Sequence, residues 1–247
     1  MLLVAVVMTC YVSARRIVEG DAATAFANAA IVVDLERSIG IHVEPPAHRF
    51  VAERALLASV SATIYLWTNW VTIVVGMAVV RWRDECRYRT LRSGLVLSAA
   101  VGLLLAWLVP VAPPRLLEGY DDVVYGAWED PSTRPPGGSN VFAAFPSFHV
   151  GWPAVVGASV AATLRTPSER RPLRWLAMVP ALVIAVVVVT TANHYVVDVI
   201  GGVAVAWGCD STARRLYRLN GPVRSANRPA VWRRAGRNDR GRLRRLS

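Results

Sequence analysis

Three short stretches of this chain carry residues whose types and spacing suit phosphoryl transfer. In Thr190-Thr191-Ala192-Asn193-His194-Tyr195-Val196-Val197-Asp198, a histidine and an aspartate stand four residues apart. Helical positions i and i+4 share a face, so the carboxylate of Asp198 can reach the imidazole of His194. A second histidine, His149, closes Phe145-Pro146-Ser147-Phe148-His149. One histidine can attack phosphorus while a carboxylate holds its other nitrogen, and the second can protonate the leaving alkoxide. Ser147 is a good N-cap with a proline before it. The unpaired N–H groups of the turn that starts at Phe148 then form an anion site. Arg115, after Pro113-Pro114, offers fixed positive charge to phosphoryl oxygens.

Each of these residues also has a plainer role. His194 and Asp198 could merely pin two helices, His149 could be a satisfied bundle histidine, and Arg115 could snorkel to an interface. A metal site from His149, His194 and Asp198 is conceivable by ligand type. Asp198 lies on the face of His194, though, where it suits an orienting partner better. The expectation is therefore no metal and no cofactor.

The elements that must position these residues are apolar. The 247 residues are 54% hydrophobic, with a mean hydropathy of +0.36, and the excess is gathered into runs. That pattern predicts an integral membrane protein of the all-α class. Five spans read clearly: Leu56–Val80, Ser93–Val111, Ser147–Leu164, Trp175–Thr191 and Tyr195–Trp207. Met1–Ala14 is read as a first span ahead of Arg15-Arg16, with a signal peptide as the alternative. Ala22–Ile41 reads as an interfacial helix with Phe26, Ala30 and Val33 on one face, broken by Pro45-Pro46. Trp67 and Trp70 fall well inside a span and are expected to pack.

The net charge of +11 comes wholly from arginine, because the chain contains no lysine. Arg81, Arg83, Arg87, Arg89 and Arg92 fill one short loop, and Arg165, Arg170, Arg171 and Arg174 another. Twelve more arginines lie between Arg214 and Arg245. Alternating spans put all three groups on one side, which the positive-inside bias makes cytoplasmic. Arg115, His149 and His194 then share the opposite, outer side. Residues 1–212 form the predicted six-helix catalytic domain, and 213–247 an arginine-rich, disordered cytoplasmic tail resting on anionic lipid rather than on nucleic acid. Cys10, Cys86 and Cys209 show no spacing for a disulfide framework or a zinc site.

At these residues the sequence resembles the type 2 phosphatidic acid phosphatase superfamily, six-helix membrane enzymes with three short motifs. The stretches that carry the resemblance are Val111-Ala112-Pro113-Pro114-Arg115-Leu116-Leu117, Phe145-Pro146-Ser147-Phe148-His149, and His194-Tyr195-Val196-Val197-Asp198 with Gly201-Gly202. It runs from about Val51 to Trp207 and is strongest with the branch containing inositol phosphorylceramide synthases. It implies His194 as nucleophile, Asp198 as its orienter, His149 as acid, and Arg115 with Ser147 and Phe148 as the phosphate cradle. The chain lacks the first-motif lysine of the phosphatases. It also has Val188 where they place an arginine six residues before the nucleophile. Thr190, Thr191 and Arg134 are the polar residues placed to compensate. The implied activity is a metal-independent phosphotransferase on a lipid phosphate ester at the outer leaflet, with a polyol as one candidate acceptor. The alternatives are a lipid phosphate or isoprenoid diphosphate phosphatase and, outside enzymes, a membrane scaffold.

Overall fold

The computed structural model describes residues 13, 20–126, 141–164 and 171–219. Eight helices cover them: α1 Ala22–Ser38, α2 Glu44–Ala52, α3 Ala55–Arg83, α4 Glu85–Leu108, α5 Phe148–Thr163, α6 Arg171–Leu176, α7 Val179–Thr190 and α8 Val196–Leu219. A 3₁₀ turn, Pro114–Leu116, lies between α4 and α5. Among the described residues there is no strand, only an isolated bridge between Val111 and Ala143. The all-α expectation holds.

Three helices, α3, α4 and α8, are long and apolar enough to cross a membrane, and a shorter apolar segment spans Arg174–Thr190. The outer surface of these helices is apolar too, with Val71, Val74, Leu104, Trp107, Leu182, Val186 and Ile200 exposed. Such a contiguous surface suits lipid rather than water. Of the two tryptophans expected to pack, Trp70 does so. Trp67 does not: it is 65% exposed, because its position on α3 faces away from the bundle. The predicted first span, Met1–Ala14, lies outside the described residues except for Ser13, which is helical.

Helix ends follow local chemistry. The Asp21 carboxylate accepts from Thr24 N–H and starts α1; Asp84 does the same for α4 through Arg87 N–H. The buried stripe of α1 is Ala25, Ala29, Val33 and Glu36, which shares Val33 with the apolar Phe26–Ala30–Val33 face. Small alanines let the helix approach the Val111–Ala112 and Ala144 segments, with which they share a core, and the larger Phe26 is left outside. Pro45-Pro46 opens α2 rather than simply ending order, because a first helical turn does not need the missing N–H groups.

The core lies between α3, α4, α5 and α8, where Met77, Leu91, Leu95, Trp152, Val155, Val156 and Ala206 are buried together. The crossing of α5 and α8 is set by glycine. A Cβ on Gly202 would collide with the Ser147 backbone, and one on Gly151 with the Gly202 carbonyl. Close backbone approach through small residues is how membrane helices gain contact area. At the arginine-rich end, Arg87 donates to both Asp210 carboxylate oxygens at 2.9 Å and to Ser159 Oγ at 2.6 Å. Arg214 meets the same aspartate at 2.8 Å. This network joins α4, α5 and α8. The last helix also runs past the predicted span to Leu219, so Arg214, Arg215 and Arg218 are helical.

Candidate active site

The far end of the bundle gathers the three motif stretches. The Arg115 N–H donates to the Ala192 carbonyl at 2.8 Å, and Ser147 N–H to the Asp198 carbonyl at 3.0 Å. Main-chain bonds therefore splice the 3₁₀ turn, the start of α5 and the start of α8 into one surface. Asn193 and His194 both donate their backbone N–H to the Val188 carbonyl. That fold-back places Ala192 at φ 55°, a left-handed conformation that L-residues adopt at a cost.

His194 is buried, and its Nδ1 lies 2.8 Å from the Ala144 carbonyl and 3.5 Å from Asp198 Oδ2. Both neighbours are acceptors, so Nδ1 carries the proton and Nε2 keeps its lone pair. The predicted pairing with Asp198 is present, but the closer partner is a main-chain carbonyl, which residue types alone do not reveal. Asp198 is fully buried and also accepts the Tyr195 N–H at 2.9 Å. The next two N–H groups of the chain, on Val196 and Val197, are taken by Glu44 at 2.9 Å and Glu36 at 2.8 Å. Three carboxylates thus cap α8, where the helix dipole favours negative charge. Burial pushes the Glu36 carboxyl up to about 8.

The ring of His149 lies 5.9 Å from that of His194, centroid to centroid, and stacks on Tyr65 at 4.5 Å. Two histidines this close suit the paired roles of nucleophile and acid in phosphoryl transfer. The Arg115 side chain is nearly buried, donating through Nη1 to Asn193 Oδ1 at 2.7 Å, with Nε 3.4 Å from Asp122 Oδ2. Asn193, Asp122 and Tyr65 were not singled out from sequence. Asn193 had the clearest signal, standing beside His194 with an amide able to bridge a cation and the chain.

The other residues expected at the site are placed as follows. Ser147 occupies the N-cap of α5 but makes no side-chain cap bond, and its backbone N–H donates to the Asp198 carbonyl. Phe148 packs on Trp152 at 4.9 Å between ring centroids, leaving only its main-chain N–H for an anion. Thr190 and Thr191 return their hydroxyls to the Val187 carbonyl, and Val188 is wholly buried in the apolar core. Neither threonine replaces the cation that Val188 displaces. Arg134 lies outside the described residues.

Among the described residues, the buried side-chain atoms without a hydrogen-bond partner are Glu44 Oε2, Asn69 Oδ1, Arg115 Nε, Ser147 Oγ and Asp198 Oδ1. Such atoms are costly unless something satisfies them. Three of the five belong to motif residues.

Residues 30–209 match the family model of the PAP2 superfamily. The chain belongs to the PAP2 superfamily. Its members are lipid phosphatases and phosphotransferases, and membership indicates that class of activity, in a membrane protein, for this chain. No curated protein and no solved structure matches the sequence significantly.

Proposed function

We propose that this PAP2-superfamily chain is a phosphotransferase that takes its phosphoryl group from a lipid phosphate ester at the outer leaflet, through a phosphohistidine at His194. The observation that carries the reading is the Nδ1 anchoring of His194 by Ala144 and Asp198, with the His149 ring 5.9 Å away. Nε2 of His194 attacks phosphorus in line with the ester oxygen. His149 gives its proton to the departing alkoxide. Arg115 and the first N–H groups of α5 hold the equatorial oxygens, and Ser147 Oγ is a further donor for them. An acceptor, polyol hydroxyl or water, then loses its proton to His149 and attacks the phosphohistidine. No step in this reading draws on a metal, and Asp198 Oδ2 serves the Tyr195 N–H and the imidazole as an orienting group.

The inositol phosphorylceramide synthase-like reading rests on motif resemblance, supported by the apolar packing at Val188, which removes a cation that phosphate monoesters would use. An isoprenoid diphosphate or lipid phosphate phosphatase is the second reading, favoured by the Arg115–Asn193 clamp, which suits any phosphoryl group. Purified protein incubated with labelled lipid phosphates, with and without inositol or glycerol, separates them. A new phosphodiester is the expected product. Free phosphate alone would move the chain to the phosphatases, and silence across both donor classes would overturn the enzymatic reading.

A further inference from the structure

Outside the catalytic cluster, a second group of polar side chains meets at the N-terminus of α8. Gly40, at φ 74°, ends α1. Its N–H donates to the Arg37 carbonyl and the Ile41 N–H to the Glu36 carbonyl, the two bonds of a Schellman motif. The motif ordinarily packs an apolar side chain at the position held here by Glu36. The chain instead folds His42 and Glu44 back over that glutamate. His42 Nδ1 lies 3.5 Å from Glu36 Oε2 and 3.0 Å from Glu44 Oε2. Both glutamate side chains are fully buried, and the imidazole is 13% exposed.

The chemistry of this cluster is incomplete as it stands. Each glutamate spends one oxygen on α8, and the second oxygens converge on a single imidazole nitrogen, which can donate one proton at most. Glu44 Oε2 accepts no hydrogen bond. A carboxylate oxygen buried without a partner beside a second buried glutamate is an arrangement that a compact positive charge would satisfy. The three ligand atoms lie within 4.8 Å of one another. In a tetrahedral zinc site with bonds of about 2.0–2.1 Å, neighbouring ligand atoms stand roughly 3.3 Å apart. The separations of 3.0 and 3.5 Å bracket that value.

We propose that Glu36, His42 and Glu44 bind one divalent transition-metal ion, zinc foremost, which clamps the α1–α2 segment to the N-terminus of α8. His42 Nδ1 and the Oε2 atoms of both glutamates are the ligands, and the opening beside the part-exposed imidazole leaves the fourth position to water. The ion is a structural one. It touches none of the reacting groups, and the site does not depend on which phosphoryl transfer the protein performs.

The test uses full-length protein in detergent, stripped with chelator and dialysed against zinc alone. About one zinc per chain is expected, with a metal-edge X-ray spectrum showing one imidazole among oxygen ligands. At zinc near 100 times Kd, the melting temperature should rise by roughly 5–10 °C over the stripped protein. His42→Ala should lose both effects, and Glu44→Gln should weaken binding at least tenfold. Zinc retained undiminished by His42→Ala would place the ion elsewhere and overturn the proposal. So would stripped protein that remains folded and gains neither zinc nor melting temperature, which would mean that Glu36 and Glu44 share a proton. Phosphate label on His194 formed well below the melting temperature should persist in chelator, which keeps this result separate from the reaction.

Discussion

At the scale of single residues, the two histidines are distinguished by their neighbours. His194 is held through Nδ1 by a carbonyl and a carboxylate, whereas His149 stacks on an aromatic ring at the start of α5. A nucleophile needs a fixed lone pair, and an acid needs a proton it can release. His194→Ala should therefore abolish turnover and any acid-quenched, base-stable phosphate label on the protein. His149→Ala should lose about 10²–10⁴ in rate with an alkoxide leaving group, and much less with one that needs no protonation. Loss of label from His149→Ala with retention in His194→Ala would reverse the two roles. Asp198→Asn is a more demanding case. In hydrolase triads the corresponding change costs about 10⁴. Here the Ala144 carbonyl still fixes the Nδ1 proton, so the loss should be shallower, within about 10²–10³. A fall as deep as that of His194→Ala would mean that the carboxylate charge, not the tautomer, is what the reaction requires.

Between elements, the site depends on how closely α8 approaches the start of α5. Ser147 N–H bonds the Asp198 carbonyl, and the Ser147 backbone occupies the space a Gly202 Cβ would need. Gly202→Ala must push α5 and α8 apart, and with them His149 from His194. Overpacking of this kind costs about 1–3 kcal/mol. Because the obstacle is backbone, the expected value is at the upper end. The measurement is melting temperature together with phosphoenzyme yield. Gly208→Ala, on the same helix with nothing within 4 Å of its would-be Cβ, serves as the control and should be neutral in both. Equal behaviour of the two variants would remove the crossing from the account of the site. This contact also marks where the sequence was readable and where it was not. Helix positions followed from apolar runs, since burial in lipid or core demands them, and the i, i+4 rule placed Asp198 beside His194. Ala144 could not be foreseen, because a carbonyl contributes no residue type. Glu36, within the expected interfacial helix, and Glu44, beyond its end, carried no signal of a task at α8, which arises only from the turn at Gly40. On α1, close packing selects Ala25 and Ala29 for the core, which hydrophobicity alone does not favour over Phe26.

For the whole molecule, the decisive question is which side of the membrane each end of the bundle faces. Arg87, Ser159, Asp210 and Arg214 meet at one end through short hydrogen bonds, while Arg115, His149 and His194 lie at the other ends of their spans. Among the described residues, Arg87 of α4, Arg174 before α7 and Arg214 of α8 are thus together in space, lining one cavity with Asp210. A cluster of arginine next to spans is retained on the cytoplasmic side, where anionic lipids add about 1 kcal/mol of attraction per basic residue near the surface. On the proposed reading, the end that carries His149 and His194 faces outward, toward outer-leaflet lipid and extracytoplasmic acceptors. A reporter fused after Arg245 should accordingly be active in the cytoplasm, and one inserted near Gly138 only outside. Reversing the arginines of the α3–α4 turn to glutamate should weaken that bias and produce a mixed population. If both reporters read on the same side in the unaltered chain, an even number of spans separates Gly138 from the C-terminal segment, and the outward placement of the site is overturned. The lipid donor would then have to be sought in the cytoplasmic leaflet.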